Sequence, residues 1–399
     1  MLEPNRHLAR TAAIALTGLA IVAGPVTAAP EPFLLVDQDL SVRPIELLSA
    51  GAYGLEIRDA GGGPTTQVTL DECLALIRPD GYLAQDPESD PLSGDMFGTL
   101  VFADGERMPG VISGDAPPDA DAVAWVHPRF GPMLVPLERV AAASLRPGAP
   151  IPESGQLDVV ALANGDQLQG FIASVGDPVV IEVGDGVDAH PVEIPLARTR
   201  GFALVAPRMP PTGRRVWFSD GTVLDTRKLQ VGNDGYLRFG LAWRPDEGGF
   251  AARLSTVSAV LFDSAGLVPL ATLAPARVER TTPRYIVPGP KVDDPAAPLG
   301  LGAVSIRGPV RVRYALPDNC IRFAGEAQLP FGARRWGDYQ LILRDDDAEV
   351  FRARLNRANP SVPINVTLRG SELTIELEQG ASGPIQDHVV LRRAMLLVE

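Results

Sequence analysis

Residues 372–378, Glu-Leu-Thr-Ile-Glu-Leu-Glu, alternate polar and apolar side chains without interruption. A period of two is typical of a β-strand with one face in a core and the other in solvent. The same alternation appears at 310–314, 340–344 and 362–368, and no helical period interrupts it. Residues 299–398 are therefore predicted to be β-sheet throughout.

Clusters of turn-forming residues separate these predicted strands. They are Pro317-Asp318-Asn319, Asp345-Asp346-Asp347, Asn359-Pro360 and the run Gly-Ala-Ser-Gly-Pro at 380–384. Short turns join antiparallel strands, whereas parallel strands need long crossover connections. The spacing therefore predicts an antiparallel β-sandwich.

Several short motifs in this region match one known family. They are Gly300-Leu301-Gly302, the strand 312–316, Phe323, the hairpin 339–351, Asp387-His388-Val389, Ala394 and Leu396. With its lead-in, the segment 267–398 resembles the NPCBM family of carbohydrate-binding modules. The resemblance implies a galactose-binding-domain-like jelly roll and a glycan ligand.

Three positions depart from the family pattern, because Val304, Leu329 and Leu391 are apolar where the family tends to have polar or aromatic residues. A sugar site that depended on those side chains is weakened. Sugar recognition needs hydrogen-bonding groups beside an aromatic platform. Trp336 and Tyr339, close to Arg335, are candidates for that platform. Packing of Tyr339 in a strand core and of Trp336 under a loop is the favoured interpretation, since buried aromatic residues outnumber ligand platforms.

Asp387 and His388 form the most distinctive polar pair of the chain. A carboxylate beside an imidazole can hold a ligand, a cation or a loop, and it can also anchor the terminal strand. We therefore take Trp336, Tyr339, Arg335, Asp387 and His388 as the candidate ligand-binding residues. No catalytic and no metal-binding residues are predicted.

Residues 1–28 are predicted to be a secretory signal peptide. Arg6 and Arg10 precede a short apolar core, and Val26-Thr27-Ala28 is a small-residue cleavage site. The rest of the sequence lacks an apolar run of about 18 residues, so no transmembrane segment is expected. The mature protein is predicted to be secreted, periplasmic or at the cell surface.

The net charge of −13 disfavours nucleic acid as a partner, because phosphate backbones select basic surfaces. The expected partners are a glycan or cell-surface polymer, and a further candidate is another envelope protein. With 40 Gly and 38 Pro and few helical patterns, the composition favours several small β-domains.

Internal repeats precede the predicted jelly roll. Turns at Asp104-Gly105, Asn164-Gly165 and Asp220-Gly221 are followed after 32, 31 and 33 residues by Leu137, Leu196 and Leu254 in strand-like tails. A degenerate copy has Gln38 in place of the turn glycine, 32 residues before Leu70. Because tight hairpin turns need positive φ, Gln38 predicts a looser connection.

These repeats predict four small barrel-like units at 31–78, 98–146, 157–206 and 213–263, followed by the module at 267–398. Their strand pattern is loosely similar to Sm-like and SH3-like barrels, which host unrelated functions. The predicted fold is thus all-β, with tandem barrel-like repeats and a C-terminal jelly-roll sandwich.

The remaining residues give weak signals for chemistry. Cys73 and Cys320 could pair in an oxidising compartment, but Cys73 aligns with buried positions of the other copies and is better explained as a buried apolar residue. His127 and His190 are interpreted as loop residues. Asp345-Asp346-Asp347 is interpreted as a hairpin turn, because it lacks the ligand spacing of a calcium loop.

No cofactor is predicted, although calcium remains weakly supported. The sequence contains no nucleophile elbow, phosphate loop or zinc-protease motif, so an enzyme is not predicted. We expect an exported, non-catalytic, glycan-binding modular protein. The alternatives are a structural or protein-interaction component of the envelope, and an accessory relative of a glycoside hydrolase.

Overall fold

The computed structural model describes residues 30–79, 97–113, 121–184, 188–244, 249–263, 266–281, 288–381 and 383–399. In these ranges the chain forms antiparallel β-strands joined by loops and short 3₁₀ turns, so the all-β prediction is confirmed. None of the helices described there has the length and apolar character needed to cross a bilayer. The predicted signal peptide and its cleavage point near Ala28 lie outside the described residues.

The first twenty strands form four five-stranded barrels. Barrel 1 consists of β1 (Glu31–Asp37), β2 (Val42–Ala50), β3 (Gly54–Asp59), β4 (Thr66–Thr69) and β5 (Cys73–Ile77). Barrel 2 consists of β6 (Gly98–Phe102), β7 (Arg107–Ile112), β8 (Ala122–His127), β9 (Gly131–Pro136) and β10 (Val140–Ser144). Barrel 3 consists of β11 (Asp158–Leu162), β12 (Gln167–Ser174), β13 (Val179–Val183), β14 (His190–Ile194) and β15 (Thr199–Ala203). Barrel 4 consists of β16 (Arg214–Phe218), β17 (Val223–Val231), β18 (Tyr236–Leu241), β19 (Phe250–Arg253) and β20 (Val257–Leu261).

Each barrel is built in the same way, because the first four strands pair consecutively and the fifth strand pairs back onto the first, with no pairing between the fourth and fifth strands in the described residues. A three-residue 3₁₀ turn joins the fourth strand to the fifth. These turns are Leu70–Glu72, Leu137–Arg139, Leu196–Arg198 and Leu254–Thr256. The prediction that these leucines lie in strand-like tails is therefore wrong, because each begins a 3₁₀ turn between two strands. The leucine packs on the barrel core, which explains why it recurs at a constant distance from the turn glycine.

The first hairpin of every barrel has a connection of four residues, including 38–41 in barrel 1. Gly105, Gly165 and Gly221 have positive φ in this connection, and Leu40 has φ 60° at the corresponding place. The looser connection predicted at Gln38 is therefore wrong, since Leu40 is the true counterpart of the glycines. The left-handed conformation costs a non-glycine residue about 1–2 kcal/mol. Burial of the Leu40 side chain against the C-terminal domain offsets that cost.

The barrels associate in two pairs through their fifth strands. In barrels 1 and 4, β5 pairs with β20 around Leu76 and Val260, and in barrels 2 and 3, β10 pairs with β15 around Ala143 and Phe202. All four residues are the fourth of their strand. The two pairs therefore use one register, with a local twofold relation between the barrels of each pair.

The remaining strands form a two-sheet sandwich. They are β21 (Leu267–Pro269), β22 (Arg277–Arg280), β23 (Lys291–Val292), β24 (Val304–Arg307), β25 (Val310–Ala315), β26 (Cys320–Gln328), β27 (Tyr339–Asp345), β28 (Ala348–Leu355), β29 (Ser361–Thr367), β30 (Glu372–Gln379) and β31 (His388–Val398). One sheet has the order β23-β24-β31-β26-β29, with β21 also on β31, and the other has the order β22-β25-β30-β27-β28. The apolar side chains of both inner faces form the sandwich core, and this topology is the predicted jelly roll.

The barrel 1 and 4 pair packs on the outer face of the jelly-roll sheet that contains β26 and β31. Ile77 and Leu261 from the paired fifth strands share an apolar cluster with Ala324, Met395 and Leu397. Burial of apolar surface contributes about 25 cal/mol per Å², so this contact holds the two regions together. The jelly roll is thus supported by the barrels and not merely tethered to them.

The structure also tests the predictions made for the cysteines and for two histidines. Cys73 and Cys320 are free and buried, and burial raises the pKa of the Cys73 thiol to about 12. The assignment of His127 and His190 to loops is wrong, because His127 ends β8 and His190 begins β14. Sequence alone did not show this because both histidines precede proline, which usually marks a turn.

Candidate functional site

Two loops meet at one end of the jelly roll and carry the predicted ligand-binding residues. The loop between β26 and β27 includes the 3₁₀ turn Phe331–Ala333, and the loop between β30 and β31 ends at Asp387. They touch where the main-chain N–H of Trp336 donates to Gln386 Oε1 at 3.2 Å. All five predicted ligand-binding residues lie at this end of the sandwich, which we call the loop end.

Trp336 and Arg335 lie on the surface of the loop end. The Trp336 side chain is 49% exposed, and the Arg335 guanidinium lies 5.3 Å from the centre of its ring. Arg334 is similarly placed 5.6 Å from the ring of Phe331, which is 85% exposed. We call these four residues the loop-end platform. An exposed indole with a neighbouring guanidinium presents an apolar face and several hydrogen-bond donors.

Sequence analysis did not select Phe331. The available signal was Pro330-Phe331-Gly332, an aromatic residue between two turn formers, where no strand can bury the ring. Large exposed apolar side chains grouped on a surface are typical of interaction sites. Phe331 therefore extends the predicted aromatic surface beyond Trp336.

Tyr339 begins β27 and is fully buried in the sandwich core. Its hydroxyl donates to the main-chain carbonyl of His388 at 2.9 Å. Burial, with the nearby charge of Asp387, raises the pKa of the Tyr339 phenol. Tyr339 thus lies beneath the platform and connects the two strands that flank the loop end.

Asp387 is 3% exposed, and among the described residues neither of its carboxylate oxygens has a hydrogen-bond partner of acceptable geometry. Burial raises the pKa of Asp387 to about 7, although the main-chain N–H of Asp338 is near enough to lower it in part. A buried acceptor without a donor costs about 1–3 kcal/mol. Such a group in a folded protein calls for an explanation, and a ligand is one.

His388 begins β31 beside Asp387 and faces Ser305 on β24, with Nε2 2.6 Å from the serine hydroxyl. Burial, together with the positive charge of Arg307, lowers the pKa of the imidazole. The imidazole is therefore neutral at physiological pH. A neutral ring leaves one nitrogen as donor and the other as acceptor.

A carboxylate–guanidinium pair braces the loop end. Asp338 accepts two hydrogen bonds from Arg354, each 2.7 Å, and one from the main-chain N–H of Ala381 at 3.0 Å. Bidentate pairs of this kind fix geometry as well as charge. Asp338 therefore fixes both loops relative to β28.

The three positions that depart from the family pattern are buried. Val304, Leu329 and Leu391 all belong to the apolar core of the jelly roll. Their side chains point away from solvent and offer no surface to a ligand. Recognition at this end must therefore depend on other residues.

A second group of ionisable side chains lies between barrels 2 and 4. Glu106 is fully buried, accepts from the main-chain N–H of Asp225 at 2.6 Å, and is paired with Arg139 at 3.2 Å. Asp225 in turn receives two hydrogen bonds from Arg215, at 2.6 and 3.0 Å. Burial, with the charge of Asp104, raises the pKa of Glu106 to about 8. We call this group the inter-barrel cluster, and its partners identify it as a structural contact.

His127 belongs to the same contact, with Nε2 2.8 Å from the hydroxyl of Thr222. Its Nδ1 accepts from the main-chain N–H groups of Arg129 and Phe130, so Nε2 carries the proton and donates to Thr222. Burial lowers the pKa of His127 to about 4. The imidazole thus serves as a neutral link between barrels 2 and 4.

No group of three or more His, Cys, Asp or Glu side chains in the described ranges is arranged to hold a metal ion. The run Asp345–Asp347 forms the turn between β27 and β28, as predicted. Its first two carboxylates accept main-chain N–H groups of residues 369–372. These carboxylates order a neighbouring loop, which the sequence did not reveal.

No family model matches the chain, and no curated protein sequence matches it. A CBM51 module from a Clostridium perfringens GH95 protein, solved in complex with methyl-galactose, is 13% identical, with coverage of 33% of this chain and 99% of the module and a TM-score of 0.28.

Two further solved structures are similar at the same level. The tandem CBM51 modules of the family 98 glycoside hydrolase from Streptococcus pneumoniae are 10% identical, with coverage of 92% of this chain and 88% of theirs and a TM-score of 0.27. The CBM51-2 and INT domains of Clostridium perfringens ZmpB are 9% identical, with coverage of 47% of this chain and 40% of theirs and a TM-score of 0.29. TM-scores this low establish no shared fold. The jelly-roll assignment therefore depends on the strand pairings, and the NPCBM resemblance stays a prediction.

Proposed function

We propose that this chain is an exported, non-catalytic modular protein whose jelly roll binds a glycan or another cell-surface polymer at the loop end. The observation that supports this most directly is the exposed Trp336 ring, flanked by Arg335, at the same end of the jelly roll as Asp387, whose buried oxygens lack a hydrogen-bond partner of acceptable geometry in the described residues. In this proposal the chain divides at the limits predicted from the sequence. Export depends on the predicted signal peptide.

The chemistry of the loop end suits a sugar. A pyranose has an apolar face that stacks on an aromatic ring and hydroxyl groups that need both donors and acceptors. Trp336 supplies the ring, Arg335 supplies donors, and Asp387 supplies an acceptor for a hydroxyl or a bridging water that enters beneath the platform. His388 and Tyr339 hold the base of the site in position.

The test uses the full mature chain, because the barrels cover one face of the jelly roll. Wild type, Trp336→Ala and Tyr53→Ala are screened against a broad glycan array with and without calcium. Tyr53 is a matched control, since it is an exposed aromatic residue on barrel 1. The proposal predicts glycan binding that is lost in Trp336→Ala and kept in Tyr53→Ala. Equal binding by all three proteins would contradict it.

A structural or protein-interaction role is the second candidate function. The observation in its favour is the burial of Val304, Leu329 and Leu391 in the core, where the family resemblance implies polar or aromatic residues. Under this alternative the loop end has lost its sugar and the barrels carry the interaction. Absence of glycan binding by wild type on the array would favour the structural or protein-interaction role over glycan binding.

A further inference from the structure

The paired barrels create four equivalent corners, one at each 3₁₀ turn. In each, the residue after a fifth strand donates its main-chain N–H to the fifth strand of the partner barrel. These bonds are Arg78 to Ser258 O, Leu145 to Arg200 O, Leu204 to Ala141 O and Phe262 to Leu74 O, at 2.8–2.9 Å. The corners can therefore be compared position by position.

Arginine side chains from the paired barrel fill two of the corners. At the barrel 4 turn, Arg78 donates from Nε to the carbonyl of Val257 at 2.8 Å and from Nη2 to that of Leu254. At the barrel 3 turn, Arg146 donates to the carbonyl of Ala197 at 2.7 Å. Main-chain carbonyls at such a turn accept guanidinium donors well, because each carbonyl has two lone pairs.

The corner at the barrel 2 turn has Leu204 and Val205 where these two corners have Arg78 and Arg146, and the fourth corner, at the barrel 1 turn, has Phe262 and Asp263. A groove of about 810 Å³ opens there, lined by Leu137 and Val140 of barrel 2 and by Phe171 of barrel 3. Phe171 is 63% exposed. The floor of the groove is therefore largely apolar, and the 3₁₀ turn Leu137–Arg139 lies at one side. Asp158 also lines the groove, and its carboxylate accepts from the main-chain N–H groups of Ile172 and Val205.

The rim of this groove is acidic. Glu138 and Asp121 line it, and Glu182 lies directly opposite Phe171 in the β12–β13 pairing. The chain as a whole carries a net charge of −13. Charge complementarity thus favours a cationic group on any occupant.

We propose that this groove binds a protein partner through an arginine side chain set in an apolar, extended segment. The guanidinium binds main-chain carbonyls of the barrel 2 turn, as Arg78 and Arg146 do at the barrel 4 and barrel 3 turns, and lies beside Glu138. The flanking apolar side chains cover Phe171, Val205 and Leu137. This interaction is separate from glycan binding at the loop end.

The test uses the full chain and the synthetic peptide acetyl-Leu-Ile-Arg-Pro-amide, which copies residues 76–79 of the corner filled by Arg78. A second peptide has glutamine in place of arginine. Binding is followed by chemical-shift changes of the Val205 and Leu137 methyl groups. We expect the arginine peptide to bind at least tenfold more tightly than the glutamine peptide, and Glu138→Gln to weaken it.

The blocking variant is Leu204→Arg, which supplies the chain's own guanidinium to the groove. It is expected to abolish peptide binding while its thermal unfolding remains cooperative. If Leu204→Arg does not fold, Phe171→Ser removes the apolar floor instead and is expected to weaken binding at least tenfold. Equal affinity for the two peptides, no shift at millimolar peptide, or unchanged binding by a folded blocking variant would overturn the proposal.

Discussion

The inter-barrel cluster and the loop end both bury carboxylates, but only the first supplies them with donors. Glu106 and Asp225 are met by Arg139, Arg215 and a main-chain N–H, all within 3.2 Å. Asp387 is also buried, and in the described part of the chain its only nearby donor is the main-chain N–H of Asp338, which makes no hydrogen bond of acceptable geometry. The cluster therefore has the chemistry of a structural joint, whereas the loop end combines a buried carboxylate with an exposed aromatic surface.

The difference also appears at the surface. Around the inter-barrel cluster, the aromatic ring of Phe130 packs against Phe218, Phe239 and Phe250 with centroid distances of 5.5–5.8 Å. At the loop end, the rings of Phe331 and Trp336 face solvent instead. Paired charges and packed rings stabilise the contact between barrels 2 and 4, whereas the loop end has a buried carboxylate without well-placed donors and two exposed aromatic rings.

The largest expected effect is at the joint. Arg215→Ala removes the guanidinium from Asp225 and leaves a buried charge poorly compensated, which typically costs about 3–5 kcal/mol of unfolding free energy. Urea denaturation measures the loss. The control is Arg238→Ala, which breaks the exposed pair with Asp234 and is expected to leave the urea midpoint unchanged. Similar midpoints for both variants would contradict a structural role for the cluster.

The second effect is opposite in sign and belongs to the loop end. Because folding raises the pKa of Asp387 from its ordinary value of 3.8 to about 7, ionisation of this carboxyl destabilises the fold as pH rises from about 4 to 7. Asp387→Asn removes that penalty. We expect it to gain about 2–4 kcal/mol relative to wild type at pH 8 and little at pH 4.

Thermal unfolding across this pH range provides the measurement. A gain for Asp387→Asn that does not depend on pH would show that the carboxylate is solvated or paired in solution. The distinction between a satisfied and an unsatisfied cluster would then fail. Burial raises the pKa of Glu106 to about 8 as well, so the two regions differ in their hydrogen-bond partners and not in the direction of this pH dependence.

Many of the contacts in this comparison could not be predicted from the sequence. The period-two segments and the leucines at constant spacing predicted an all-β chain, because side-chain alternation and the 3₁₀ turn are local. The association of barrel 1 with barrel 4 and of barrel 2 with barrel 3 is not local, and no pattern in β5 or β20 indicates it. The sequence could not show that His127 and Glu106 meet barrel 4 for the same reason.

The residues of the candidate site could be predicted from the sequence, but the burial of each side chain could not. The pairing of Trp336 with Arg335 follows from adjacency, and both lie on the surface. The full burial of Tyr339 and Asp387 depends on how two loops close over the sandwich, which alternation alone does not specify. Phe331 was missed because an exposed aromatic residue in a turn resembles one that packs beneath it.

A smaller effect is expected at Tyr339. Tyr339→Phe keeps the buried ring and deletes the hydroxyl that donates to the carbonyl of His388, so the fold should lose about 1 kcal/mol. Urea denaturation again measures it. A loss well above that value would mean that the hydroxyl also supports the unpartnered Asp387.

The smallest stability effect and the most direct test coincide at Trp336. Because its side chain is 49% exposed, Trp336→Ala should change the unfolding free energy by no more than about 0.5 kcal/mol. The decisive measurement is titration of the full chain and of this variant with the strongest glycan found on the array. We predict saturable binding by wild type and at least tenfold weaker binding by the equally stable variant. Undiminished binding by Trp336→Ala would contradict a ligand site at the loop end.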